Sequence, residues 1–87
     1  MTYRIVMPTK VRTTLRAFPK ALRQRIGAAM QLLHDDPFTP RPGCDLKLLL
    51  ARGDGRLRVG DYRIFYYVDG EEIFVTVVQR KRSGTYD

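Results

Sequence analysis

The stretch Arg56-Leu57-Arg58-Val59-Gly60-Asp61-Tyr62-Arg63-Ile64-Phe65-Tyr66-Tyr67-Val68-Asp69-Gly70 decides the fold. Its apolar residues alternate with period two, it is rich in β-branched and aromatic side chains, and Gly60-Asp61 and Asp69-Gly70 each read as a two-residue hairpin loop. Working outward, residues 46–50 and 72–79 carry the same alternation, with Arg52-Gly53-Asp54-Gly55 as a break. Four antiparallel strands are therefore expected at 46–50, 56–59, 62–68 and 72–79. A loop at Gly60-Asp61 pairs Val59 with Tyr62, Leu57 with Ile64 and Arg58 with Arg63. A loop at Asp69-Gly70 pairs Val68 with Glu71, Ile64 with Val75 and Arg63 with Thr76.

Upstream the period changes to that of a helix. Residues 3–7 read as a short strand closed by Pro8, with Thr9 as the N-cap of a helix that lines up Val11, Leu15 and Phe18 and stops at Pro19. Residues 20–34 place Leu22, Ile26, Ala29, Met30 and Leu33 on one stripe, with Arg23, Gln24 and Arg25 away from it. Asp35-Asp36-Pro37 ends that helix, and the Pro/Gly-rich run 37–43 is a loop. The expected fold is α+β in the order β-α-α-β-β-β-β: a two-helix hairpin on one face of a twisted, mainly antiparallel sheet. The first strand belongs at an edge or beside the last strand. Eighty-seven residues leave room for one domain, residues 1–87, and no large cavity.

The faces of the sheet then separate. Leu57, Val59, Tyr62, Ile64, Tyr66, Ile73, Val75 and Val77 fall on the side that packs on the helices. The other side collects Arg56, Arg58, Arg63 and Arg80 with Phe65, Phe74, Thr76 and Val78. Like charges opposite one another across an antiparallel pair destabilise it by roughly a few tenths of a kcal/mol or more, so Arg58 facing Arg63 is a cost with no structural return. Guanidinium forks take phosphates and aromatic faces stack bases, so this surface suits single-stranded nucleic acid.

Overall charge agrees. The chain carries 16 Lys and Arg against nine Asp and Glu, a net +7. Seven of those bases (Arg4, Lys10, Arg12, Arg16, Lys20, Arg23, Arg25) lie in residues 1–34, which contain no acid. A polyanion or an acidic protein is the expected partner. One cysteine and one histidine give neither an internal disulfide nor a zinc set, so no metal and no cofactor are expected. Cys44 reads as inert, and His34 suits the C-terminal end of its helix. With no charged leader and no run of 18 apolar residues, a cytoplasmic protein with no membrane partner is expected. Tyr86 has little packing reason to exist so near the last residue.

Leu46-Lys47-Leu48, Arg56-x-Arg58, Gly60-Asp61-Tyr62-Arg63-Ile64-x-Tyr66 and Arg80-x-x-Ser83-x-x-Tyr86, in this element order, resemble the RelE/ParE toxin superfamily over nearly the whole chain. The late arginine with its following tyrosine points to the RelE branch. The resemblance implies a toxin of a type II toxin-antitoxin system, a metal-independent endoribonuclease that enters the ribosomal A site and cuts mRNA. Its implied partners are a cognate antitoxin, mRNA and the ribosome, with operator DNA reached only through the antitoxin. It further implies that Arg63 stabilises charge at the scissile phosphate, that Arg80 lies near the leaving 5′ oxygen, and that Tyr86 stacks on or orients the nucleotide. Arg56 and Arg58 stand where the best-known branch has two lysines. Arginine stays charged in proteins, so they stabilise the phosphorane, and the base is open among Tyr86, Lys81 and a ribosomal group. Lys47, Phe65, Phe74, Lys81 and Arg82 complete the expected RNA contacts. Two other readings remain: a ParE-like toxin that inhibits DNA gyrase by binding, and a non-toxic nucleic-acid-binding module.

Overall fold

The computed structural model of the chain describes residues 2–49 and 54–80. Seven elements follow one another: β1 (Arg4–Val6), α1 (Thr9–Arg16), α2 (Lys20–Asp35), β2 (Asp45–Leu48), β3 (Asp54–Val59), β4 (Tyr62–Asp69) and β5 (Glu72–Arg80). The sheet order is β1-β5-β4-β3-β2. The last four strands form an antiparallel meander, and β1 pairs in parallel with β5 through Arg4 and Glu72, Ile5 and Ile73, Val6 and Phe74. The first strand therefore lies both at an edge and beside the last strand. Arg4 Nη2 donates to Glu72 Oε2 at 2.9 Å across that pair.

Each helix starts directly after an extended proline, Pro8 or Pro19, whose fixed φ needs little adjustment to begin the first turn. Thr9 is consequently the first helical residue rather than the cap, and Pro8 in the capping position offers no side-chain acceptor. Phe18 lies beyond the end of α1 and packs on Tyr62, with ring centroids 4.8 Å apart. The stripe Ile26, Ala29, Met30 and Leu33 of α2 meets Leu57, Val59, Ile64, Tyr66, Ile73 and Val75 in one core.

The first hairpin has the expected register: Val59 opposes Tyr62, Leu57 opposes Ile64 and Arg58 opposes Arg63. The second does not. Its loop is Gly70-Glu71, so Asp69 opposes Glu72 and Val68 opposes Ile73. The reason is the glycine: Gly60 and Gly70 have φ of 57° and 62°, and each takes the first loop position, as in type II′ turns. A β-bulge then shifts the ladder once more. Tyr66 opposes Val75 but Phe65 opposes Val77, which leaves Thr76 as the extra residue, its Oγ1 donating to Phe65 O at 3.3 Å. Beyond the bulge Ile64 opposes Val78, Arg63 opposes Gln79 and Tyr62 opposes Arg80. Val78, not Val77, thus packs on the core, and Val77 is 40% exposed on the other face.

Two contacts tie the loop after α2 to this sheet. Tyr66 is 3% exposed and its hydroxyl donates to Pro37 O at 2.7 Å. Its ring lies across Gly55, its partner on β3, where a Cβ would sit 2.3 Å from Tyr66 Cζ and Oη. Burial pushes the Tyr66 hydroxyl well above the usual tyrosine range, with Cys44 and Asp36 adding to it, so it remains a donor. The Arg41 guanidinium holds the loop from the other side, donating to Asp36 O, Thr39 O and Leu32 O. The last of these closes the C-terminal end of α2.

Candidate nucleic-acid interface

The face of the sheet away from the helices is organised in rungs, because opposed residues point the same way. One rung reads Asp45, Arg58, Arg63, Gln79 from β2 to β5; the next reads Lys47, Arg56, Phe65, Val77; the third reads Asp54, Tyr67, Phe74. Successive rungs lie about 6.8 Å apart, the rise of two antiparallel residues. Two arginines therefore share one rung, and a lysine, an arginine and a phenylalanine share the next.

Arg63 occupies the central strand and is 8% exposed, whereas Arg58 and Lys47 are exposed and Arg56 is half-buried. Burial lowers the pKa of the Arg63 guanidinium from its usual value, and repulsion from Arg56 and Arg58 lowers it further. Arginine nevertheless keeps its proton at neutral pH. What the arrangement can do follows from that: three positive charges concentrate field on one partly dehydrated patch of the sheet, where a phosphate would be attracted. Among the described residues no group of three or more His, Cys, Asp or Glu converges to hold a metal ion.

The structure brings Arg56, Arg58, Arg63, Phe65 and Phe74 onto one face as the sequence pattern anticipates, and Lys47 shares that face. Arg80 is the exception. The bulge at Thr76 gives it the parity of Tyr62, on the helix side, and Gln79 takes the place opposite Arg63. Lys81, Arg82 and Tyr86 lie outside the described residues. Tyr67 was not singled out by sequence, yet its ring stacks on Phe74 with centroids 5.0 Å apart and planes at 14°. Its parity, opposite to that of buried Tyr66, was the available signal. Beside the charged rungs a groove of about 460 Å³ runs between Leu49, Asp54, Phe65, Tyr67, Thr76 and Gln79.

Comparison with known proteins agrees with this architecture. The family model described as the ParE toxin of the type II toxin-antitoxin system parDE matches residues 4–84. No curated protein matches the chain. Among solved structures, a chain of the archaeal RelE–RelB complex from Pyrococcus horikoshii is 29% identical and superposes with a TM-score of 0.83, covering 97% of this chain and 100% of its own. A chain of the RelB–RelE antitoxin–toxin complex from Methanococcus jannaschii is 22% identical with a TM-score of 0.68, over 86% of this chain and 88% of its own. The isolated RelE toxin of E. coli shares the fold at 17% identity and a TM-score of 0.65, over 94% of this chain and 87% of its own. With the family pattern running through nearly all of a sheet and helix pair built like those of RelE, the chain belongs to the ParE toxin family of type II toxin-antitoxin systems.

Proposed function

We propose that this toxin is a ribosome-dependent endoribonuclease that cuts mRNA in the A site and is held inactive by a cognate antitoxin. The observation that carries the reading is Arg63, 8% exposed at the centre of the sheet and directly opposite Arg58. Held on one face with Arg56 and Arg58, its guanidinium adds to a cluster whose forked donors match a phosphate.

The chemistry is in-line transesterification. The 2′ oxygen of one ribose forms a bond to the adjacent phosphorus, the bond from phosphorus to the 5′ oxygen breaks, and a cyclic phosphate and a 5′ hydroxyl result. The 2′ proton passes to a base and the 5′ oxygen takes up a proton. Arg56, Arg58 and Arg63 stabilise the dianionic phosphorane, which carries more charge than the ground-state diester and therefore gains more from them. Phe65 holds an adjacent base. Arg80, next to Gln79 but on the opposite face of β5, takes no part in this cluster. Tyr86, Lys81 or a ribosomal group supplies the base, and Lys81 and Arg82 extend the contact to the RNA backbone.

The antitoxin reading draws on the related toxin chains found in complexes with RelB and on the acid-free, basic segment 1–34. A segment that folds on binding covers such a surface despite its ordering cost. The test is to induce the gene and map RNA 5′ ends. Codon-phased cuts that vanish on naked RNA establish the reading. DNA breaks with an SOS response and no phased ends overturn it in favour of gyrase inhibition.

A further inference from the structure

Strand β5 carries an irregularity that the core does not require. Counted on from the Tyr66–Val75 pair without an extra residue, Ile64 would face Val77 and Arg63 would face Val78; with the bulge at Thr76, Ile64 faces Val78 and Arg63 faces Gln79. The core is indifferent to the choice, since a valine fills the place opposite Ile64 in either register. The arginine rung is not. Its neighbour on β5 changes from an apolar side chain to a carboxamide, while Val77 is left 40% exposed. Gln79 also stands at the rim of the sheet, because β1 pairs only with Glu72, Ile73 and Phe74. Its side chain is exposed and lines the groove on this face.

That amide differs in kind from the other polar groups on its rung. Arg58 and Arg63 offer donors only and Asp45 acceptors only, whereas a carboxamide offers both. Guanidinium groups take the phosphates of RNA and DNA alike, so the arginines by themselves do not tell the two apart. The 2′ hydroxyl, at once a donor and an acceptor, is the group that does. Residues opposed across an antiparallel pair have Cα atoms about 4.5–5.5 Å apart, which sets Gln79 one side chain away from a phosphate held at Arg63, where the ribose of the same linkage lies. The other acceptors nearby are less suited. Asp45 stands beyond Arg58 and, as an anion, is repelled by the phosphate, and the Thr76 hydroxyl is turned to Phe65 O. We infer that Gln79 is the residue by which the toxin selects RNA: its Oε1 accepts a hydrogen bond from the 2′ hydroxyl of the nucleotide whose phosphate sits on Arg63, while its Nε2 donates to that phosphate. The inference rests on the RNA-cleaving reading for its place in the reaction, where Gln79 holds the 2′ oxygen beside the phosphorus it attacks. A neutral amide is no base, so the proton leaves by another group.

The test is performed on the purified full chain with fluorescently labelled trinucleotides, measured by anisotropy, so that it needs neither ribosomes nor cleavage. The central sugar is ribose, 2′-deoxyribose or 2′-fluororibose, the last of which keeps the RNA-like pucker but has no hydroxyl proton to donate. Ribose is expected to bind about fivefold tighter than either, the usual worth of one neutral hydrogen bond. Gln79→Ala should bring the three into parity. Gln79→Glu, which keeps the acceptor but adds a negative charge, should weaken all three and retain the ribose preference. Circular dichroism establishes that each variant is folded. Equal affinities in the wild type, a ribose preference that survives Gln79→Ala, or one that disappears in Asp45→Asn overturns the inference. A Gln79-dependent ribose preference on a protein that makes no codon-phased cuts would sink the nuclease reading and leave the RNA selection standing; phased cuts without any ribose preference would sink the inference alone.

Discussion

Replacing glycine by alanine at two positions of this chain should have opposite effects. At Gly55 a Cβ would sit 2.3 Å from Cζ and Oη of Tyr66 and 2.8 Å from Cε2, where ordinary contact begins at 3.4 Å. The ring has nowhere to go: it is 3% exposed and its hydroxyl is bound to Pro37 O at 2.7 Å. Either the β3–β4 pair spreads or the tyrosine abandons Pro37. Overpacking of this size costs about 1–3 kcal/mol, and breaking the buried hydrogen bond adds about 1 kcal/mol. For a domain of this length each kcal/mol is worth about 4–8 °C in melting temperature, so Gly55→Ala should melt about 8–32 °C lower. At Gly27, inside α2, an added Cβ meets nothing within 4 Å. There the helix propensity gained is about 1 kcal/mol, and the melting temperature should rise. Thermal unfolding followed by far-UV circular dichroism reads both. Tyr66→Val destabilises the fold by itself, and in that background Gly55→Ala should cost almost nothing further, because the clash has gone. A Gly55→Ala protein that melts at or above the wild type would refute the packing argument.

Arg63→Ala should reduce ribosome-dependent cleavage on the order of 100-fold per folded molecule, with folding followed by circular dichroism; a fall in melting with activity per folded molecule intact would make Arg63 structural. A chain ending at Thr85 should fold, bind its antitoxin and no longer arrest growth, with cleavage down roughly 10–1000-fold for the lost stacking and positioning; growth arrest at full strength would favour the gyrase reading. The carboxyl of Asp36 is held below its usual value first by the Thr39 side chain and then by the Phe38 backbone N–H, at 2.9 Å. Its contribution to stability is therefore complete above the unfolded value near ~3.9 and is lost as pH falls through the lowered folded value. Asp36→Asn should flatten the acid limb of the stability curve, and an unchanged limb in acid titrations followed by circular dichroism would count against it.

The first hairpin was legible because Gly60-Asp61 sits between two clean alternating runs and leaves one register. The helices were legible from their apolar stripes, even though their caps were not: proline in the capping position makes Thr9 look like a cap while denying it the place. The second hairpin was harder. Asp69-Gly70 reads as the loop on residue type, but glycine at the first loop position starts the turn one residue later. The run Val75-Thr76-Val77-Val78 then hides the bulge, since every residue in it favours a strand and none marks where the alternation slips. That one inserted residue moved Arg80 off the arginine face and put Gln79 on it. The Tyr66–Gly55 contact was illegible for a different reason: it depends on which residue lies opposite which, together with a carbonyl 29 positions away. The cluster of Arg56, Arg58 and Arg63, by contrast, needed only the first hairpin.

The parallel pairing of β1 with β5 has a consequence for how the toxin comes into being. Arg4 and Glu72 meet across 68 positions of sequence, so the first strand made on the ribosome cannot find its partner until nearly all the rest of the sheet has been synthesised. The same holds for β4, whose arginine is flanked on one side by β3 and on the other by the late residue Gln79. Non-local pairings of this kind form slowly, because the loop between them must close before any contact rewards it. A nascent chain therefore exposes its basic helices well before it possesses a finished arginine face. The toxin therefore lacks its finished arginine face through most of its own synthesis, an interval in which an antitoxin can arrive first.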